Sequence, residues 1–524
     1  MPLIPDQLWL RAEAAADRKE FAAAEALYRE ALSAQPTHAA SLIGLSTMLT
    51  RRRAHRDAHA AALRAFDARP VQPPLVYAVA QRLRYFHEFR RLTECLAWPE
   101  FADGAPADVL ARAAVMLSSI GAHQQASDLV ERGLERTPDN AALLHVWGNF
   151  QVFRGDPDAA EPHYEASLRK DPLLFQNALM LANMRTQTPE RNHVPRLRQQ
   201  LSQARPGGPG EVYLAYALFK ELHDLKDHAG AWAALQRACR TKRGQVNYKL
   251  DDDSRLVANL EGICTPAFLA ETSAIEQPAV PIFIVGMHRS GTTLLERMLA
   301  GHRDVGDAGE TSAFHAQMEL ATDIASPAGP NADFVRAAAG VGFDDVARGY
   351  AESARWLSRG RPWFTEKLPQ NFFNVGFIAK ALPQARFLHL VRDPVDTCFS
   401  NLRTLFSGAA LYSYDQAELA GFYLLYRRMM AHWHDVLPGR VLDVSYDALV
   451  EQPEAMARRV AAHCGLVFEP AMVDIERSTG VVSTPSANVA RQGFRRDRGR
   501  AWTPYARELQ PLVDALADGG CQSA

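Results

Sequence analysis

The sequence predicts a multidomain α plus α/β chain, in which an N-terminal α-solenoid precedes a parallel-sheet domain built on a phosphate-binding loop. Three observations predict it. Prolines recur at a 34-residue period through the first 206 residues. PIFIVG at 281–286 runs into a glycine-punctuated turn and then an amphipathic helix. Further short apolar runs end in charged residues, at the strand ends where open α/β sheets bind ligands. At 524 residues, 47% hydrophobic and 23% charged, the chain has room for two or three folded domains. Lys plus Arg total 58 against 60 for Asp plus Glu, so nothing chain-wide points to nucleic acid, and any anion site is local.

Pro36, Pro70, Pro138, Pro172 and Pro206 are separated by 34 residues or twice 34. Ala24 and Ala31, Ala58 and Ala65, and Ala160 fall at offsets where two antiparallel helices approach closely, Tyr28 and Tyr164 share an aromatic offset, and Trp147-Gly148 opens a unit. These residues resemble the tetratricopeptide repeat, matched in roughly four units over residues 5–205. Each unit leaves an apolar face that only its neighbour can cover, so a superhelix with a concave groove is expected. The resemblance implies a groove for a peptide or protein, or a surface for assembly that leaves a homo-oligomer open; an array packed only on the rest of its own chain is the alternative. RPGGPG at 205–210 breaks the pattern. VYLAYALFKELHDLKDHAGAWAALQRACR after it reads as one more helical hairpin. The expected division is 1–205 for the repeats, 206–275 for a helical connector and 276–524 for the α/β domain.

Cys95, Cys239, Cys264, Cys398, Cys464 and Cys521 include no C-x-x-C pair, so free thiols are expected. The first residues carry charge and no long apolar core, and no run of about 20 apolar residues follows. No signal peptide, no membrane span and a cytoplasmic location are the expectation.

The loop carries the chemistry. Gly286 and Gly291 stand five apart, as in G-x-x-x-x-G-K-[ST], but Thr292 occupies the lysine position. Backbone N–H groups at a helix N-terminus can cradle a phosphate-like group. Without the lysine that reaches β- and γ-phosphates, the expected ligand is a phospho compound other than ATP or GTP. Arg289 can set a guanidinium on the anion, and Thr292 and Thr293 can donate hydroxyl hydrogen bonds. Glu310 lies 21 residues past Arg289, where the chain can return along the mouth of the site; alone, it reads as a solvated or helix-capping residue. Lys367 ends the strand WFTEK, and Arg392 follows the strand FLHLV. Pro394 opens a helix carrying Ser400, and VLDVS leads to Tyr446. The arginines between Arg491 and Arg500 read as a solvated run or as a flap over a polyanion.

Together VGMHRSGTTLL, the Gly309-Glu310 pair, TEKLPQNF and LVRDPVDTCFSN resemble the sulfotransferases that use 3′-phosphoadenosine 5′-phosphosulfate, over about residues 280–505. The whole chain resembles bacterial proteins joining tetratricopeptide repeats to such a domain and, more distantly, the tyrosylprotein sulfotransferases. The resemblance implies that Arg289, Ser290, Gly291, Thr292 and Thr293 hold the 5′-phosphosulfate and that Arg392 and Ser400 hold the 3′-phosphate. It implies Glu310 as general base and Lys367 beside the transferred group, with Tyr446 and Ser486 in later donor-contacting segments. The implied reaction moves a sulfuryl group to an acceptor hydroxyl, protein tyrosine among the candidates, and requires no metal. Residues 311–361 are expected to shape the acceptor cleft. His288 and Arg303 replace prolines of the family pattern, Glu366 replaces an aspartate, and Val489 stands at a usual glutamine. His302 and His389, weighed because other branches use a histidine base, read as structural. The competing readings are a divergent P-loop kinase or nucleotidase, against which Thr292 counts, and a repeat scaffold with an inactive domain.

Overall fold

The computed structural model describes residues 4–406, 408–474 and 500–521. Seven helix pairs run from Pro5 to Arg243, beginning with Pro5–Asp17 and Phe21–Ala34 and ending with Pro209–Asp224 and His228–Arg243. The small positions explain the pairing. Ala24, Ala31, Ala58, Ala65 and Ala160 are wholly buried. A Cβ added to Gly148 would lie 2.6 Å from Tyr164 Cε1, and one on Gly44 would lie 2.3 Å from Tyr28 Cζ. The Tyr164 ring therefore lies directly on the backbone of the preceding helix, and the Tyr28 ring on that of the following one. Six of the pairs fall within 5–205, where the residue pattern matches four units. In the pair Pro73–Tyr85 and Phe89–Leu96 the second helix has no alanine, and Phe89 and Leu92 bury there instead, with Leu83 from the first. Burial by the neighbouring units does for that pair what the motif does elsewhere.

Among the described residues the α/β domain holds a five-stranded parallel sheet in the order β2-β3-β1-β4-β5. The strands are β1 Val280–Gly286, β2 Val305–Asp307, β3 Trp363–Lys367, β4 Arg386–Val391 and β5 Val441–Ser445. β1 is central and buried on both faces, which is why its sequence is a continuous apolar run rather than an alternation. Ile282 and Ile284 pack on one face with Leu295 and Val460, from the helices Thr292–Ala300 and Pro453–Cys464. Phe283 and Val285 pack on the other with Tyr350 and Tyr426, from Phe343–Leu357 and Gln416–Val436.

That second core does not stop at the α/β boundary. It runs on without a break into Leu214, Trp232, Leu256 and Leu260, so the segment expected as a connector is built into the domain it precedes. Residues 12–150 of the array bury their own separate core. The six cysteines are free, five of them buried. Among the described residues no helix is long and apolar enough to cross a membrane.

Candidate active site

β1 ends at Gly286, and the helix Thr292–Ala300 starts six residues later. Between them Arg289 and Gly291 take left-handed backbone angles, φ 65° and 113°. At Gly291 the requirement is double, because a Cβ there would also lie 2.6 Å from Tyr446 Cδ2. The loop thus wraps a helix N-terminus with Tyr446 packed beneath it. The Ser290 hydroxyl is buried with no hydrogen-bond partner among the described residues. A buried hydroxyl beside the first N–H groups of a helix fits an anion such as a phosphosulfate.

Glu310 and Lys367 meet because of β2. After Asp307 the chain keeps pairing with β3: the Ala308 N–H donates to Thr365 O at 3.0 Å, and the Lys367 N–H donates to Gly309 O at 3.0 Å. Glu310 is the next residue, and its carboxylate accepts from the Lys367 ammonium. Lys367 is fully buried while the Glu310 side chain is 45% exposed, so the pair faces open space on the glutamate side. Glu296, on the loop helix, puts a second carboxylate 3.9 Å from the same ammonium. Burial alone pushes the Glu310 carboxyl up, but the charge and hydrogen bond of Lys367, backed by His288 and Arg289, outweigh it and hold it below its usual range. Burial pushes Glu296 up to about 7 against the pull of Lys367. Lys367 is itself held above its ordinary value, because the two carboxylates overcome its burial. Glu310 is therefore ionised at neutral pH and able to accept a proton.

On the other side of β1, Arg392 leaves β4 and stacks over Tyr446, 4.4 Å from the ring centroid, with Asp396 Oδ2 at 3.6 Å. Asp393 caps the following helix by accepting the Asp396 N–H at 2.8 Å. That helix, Pro394–Leu402, carries the buried Ser400. Burial lowers Arg289 to about 10, and Arg403 and Arg392 push it the same way. Burial also lowers Arg403, with Arg392 again adding to it. Three guanidinium groups that raise one another's cost mark a place that favours a polyanion.

The loop, Glu310, Lys367, Arg392, Ser400 and Tyr446 thus gather at one edge of the sheet, the carboxyl ends of the strands. Tyr446 opens a helix, Tyr446–Glu451, rather than ending β5, because the Ser445 hydroxyl accepts the Ala448 N–H at 3.3 Å and stops the strand one residue earlier. Ser486 and residues 491–499 lie outside the described residues. Arg500 lies within them, and its N–H donates to both carboxylate oxygens of Asp396, at 2.9 and 3.0 Å. His302 spends both ring nitrogens, accepting the Asp304 N–H and donating to Val467 O. His389 spends its nitrogens on Asp443 and Tyr426.

Sequence reasoning missed Glu296, Arg403 and any role for His288. Glu296 had a signal, a charged residue on the buried stripe of the loop helix. The 325–331 loop, within the stretch expected to shape the acceptor cleft, lines a cavity of about 390 Å³ with His288, Tyr412 and Phe422; the share of Tyr248 and Asp253, from the segment read as a connector, was not foreseen.

The sulfotransferase family matches residues 281–470. The match spans the loop, the Glu310–Lys367 pair, Arg392, Ser400 and Tyr446. An uncharacterized protein of Aquifex aeolicus is 28% identical over 313 residues, which are 58% of this chain and 41% of that one. A provisionally named protein-tyrosine sulfotransferase of Caenorhabditis briggsae is 24% identical over 196 residues, 37% of this chain and 68% of that one. The solved sulfotransferase domain of the curacin biosynthetic pathway aligns with 46% of this chain and 99% of its own length, at 15% identity and a TM-score of 0.31. This chain therefore spans less than half the length of its Aquifex relative.

Proposed function

We propose that the protein is a sulfotransferase that moves a sulfuryl group from 3′-phosphoadenosine 5′-phosphosulfate to an acceptor hydroxyl. The observation that carries the reading is the Glu310–Lys367 pair at the mouth of an anion-binding loop that lacks the nucleotide-triphosphate lysine. When bound, the donor supplies the sulfuryl group and a bisphosphate leaving group. Arg289, Ser290, Gly291, Thr292 and Thr293 hold its 5′ end through backbone N–H groups, hydroxyls and one guanidinium. Arg392 and Ser400, with Arg403 nearby, offer cationic and hydroxyl partners for the second phosphate, and Tyr446 supports the loop from below. Lys367 offsets negative charge on the oxygen that leaves, and the ionised Glu310 takes the acceptor's proton. Preorganised donors of this kind each contribute about 10²–10³ in rate, and a positioned base ~10²–10⁴. A peptide or protein hydroxyl, tyrosine among the candidates, is the acceptor that suits the helical array.

Two measurements test the reading. Isothermal titration with 3′-phosphoadenosine 5′-phosphate should show binding, and radiolabelled donor mixed with a cell lysate should pass label to an acceptor. Glu310→Gln should keep bisphosphate affinity within about twofold while transfer falls by ~10²–10⁴. Unchanged transfer removes Glu310 from the base role. Protection from heat by ATP-Mg and none by the bisphosphate would restore the kinase or nucleotidase reading.

A further inference from the structure

His288 sits in the loop one residue before Arg289, lines the cavity, and lies near enough to Glu310, Lys367 and Arg289 to feel their charges. Three groups hold it. Asn401 Nδ2 donates to its carbonyl at 2.7 Å, Phe406 meets its ring edge to face at 5.6 Å, and its Nδ1 lies 3.0 Å from the Tyr412 hydroxyl. Tyr412 is fixed in turn by Phe422, stacked at a centroid distance of 3.6 Å and an angle of 11°. Among the described residues the other ring nitrogen, Nε2, has no hydrogen-bond partner, and the ring borders open volume.

The tautomer follows from the partners. The Tyr412 hydroxyl has two acceptors within reach, His288 Nδ1 at 3.0 Å and Met287 Sδ at 3.8 Å. An imidazole nitrogen accepts far better than a thioether sulfur. The hydroxyl hydrogen therefore goes to Nδ1, and the imidazole proton stays on Nε2. Burial lowers the ring to about 4, with Lys367 and Arg289 opposing protonation and Glu310 only partly favouring it. At neutral pH His288 is an uncharged N–H donor.

We propose that His288 is an acceptor-contacting residue whose Nε2–H donates to the acceptor oxygen and aims it at the sulfuryl group. The inference rests on the sulfotransferase reading. An acceptor hydroxyl has one hydrogen and two lone pairs. Its hydrogen goes to Glu310, one lone pair forms the new O–S bond as the bond from sulfur to the leaving phosphate oxygen breaks, and the second lone pair accepts from His288. Neutrality matters, because a cationic donor would draw electron density from the attacking oxygen, whereas a neutral one orients it.

Three readouts test this. Nitrogen-15 histidine spectra of the intact protein should show His288 as the Nε2–H tautomer, and Tyr412→Phe should admit the other; a wild-type Nδ1–H tautomer overturns the proposal. His288→Ala should bind the bisphosphate within about twofold of wild type while transfer from radiolabelled donor to lysate acceptors falls about tenfold, the worth of one oriented hydrogen bond. His288→Gln, which returns an N–H near the Nε2 position, should recover most of that transfer. Equal transfer by His288→Ala overturns the inference. So does equal loss of bisphosphate binding in both variants, which would make His288 a support of the loop. A wild-type protein that neither binds the bisphosphate nor transfers label instead overturns the sulfotransferase reading itself.

Discussion

The two helical stretches of this chain look alike in sequence and behave differently in structure. Residues 12–150 bury alanines and leucines in a core of their own, each unit leaning on the next. From Ala178 onward the helices share one core with the sheet, and Tyr216 donates to Leu402 O in the helix that carries Ser400. A defect in the first stretch should therefore stay local, while one in the second should reach the site. The first stretch touches the α/β domain through polar contacts as well as through Phe89 on Trp356. Arg56 donates its backbone N–H to Asp323 at 2.7 Å and its guanidinium to Leu320 O and Ala321 O at 2.7 and 2.6 Å. Those acceptors end the helix that begins three residues after Glu310.

The largest effect should come from within the site. Lys367→Met should lower transfer by about 10²–10³. It should also move the acidic limb of kcat/KM to higher pH, since Glu310 loses the cation that does most to hold it down against burial. An unmoved limb would detach Glu310 from the observed proton. The exposure of Glu310 should keep the accompanying loss of stability below the roughly 3–5 kcal/mol of a fully buried pair.

Tyr28→Ala sharpens the comparison itself. It opens a hole over Gly44 in the first core and should cost the array about 3 kcal/mol in calorimetry, with bisphosphate affinity unchanged. Loss of that affinity would mean the two cores unfold as one. A smaller effect is acid at the junction. Burial lowers both His55 in the array and His315 in the α/β domain to about 4. Folding therefore favours the neutral rings, their contribution is complete above the unfolded value of about 6.5, and it is lost as pH falls toward 4. At pH 5 the cost should be on the order of 1–2 kcal/mol per ring, visible as a melting temperature that drops below pH 6 and drops less in His55→Leu. The smallest is Arg56→Ala, about 1 kcal/mol for exposed hydrogen bonds, read as faster amide exchange in residues 313–323 while the array's exchange is unchanged.

What the sequence made legible follows from how local each signal is. The strand at 281–286, the glycine turn, the strand ending in Lys367 and the proline-opened helix after Arg392 are written in consecutive residues, and each stands where it was expected. The meeting of Glu310 with Lys367 is not local. It depends on β2, a three-residue strand whose Val-Gly-Asp carries no periodicity of its own and gains its place only by pairing with β3. Arg403 and His288 went unassigned because one looks like an ordinary helix-end cation and the other like a substituted turn residue. The alanine and proline spacing found the array, but undercounted its pairs, since Pro73–Leu96 is held by bulky side chains rather than by the motif.

The crowding of Arg289, Arg392 and Arg403 has a consequence at the bench. Guanidinium groups this close do not distinguish a nucleotide's phosphates from inorganic phosphate or sulfate by charge. Those salts are then competitors rather than inert components, so buffers without a phosphate, sulfate or sulfonate group, such as Tris, suit donor titrations, and a phosphate series at constant ionic strength becomes an inexpensive count of how much of the donor's grip is charge alone.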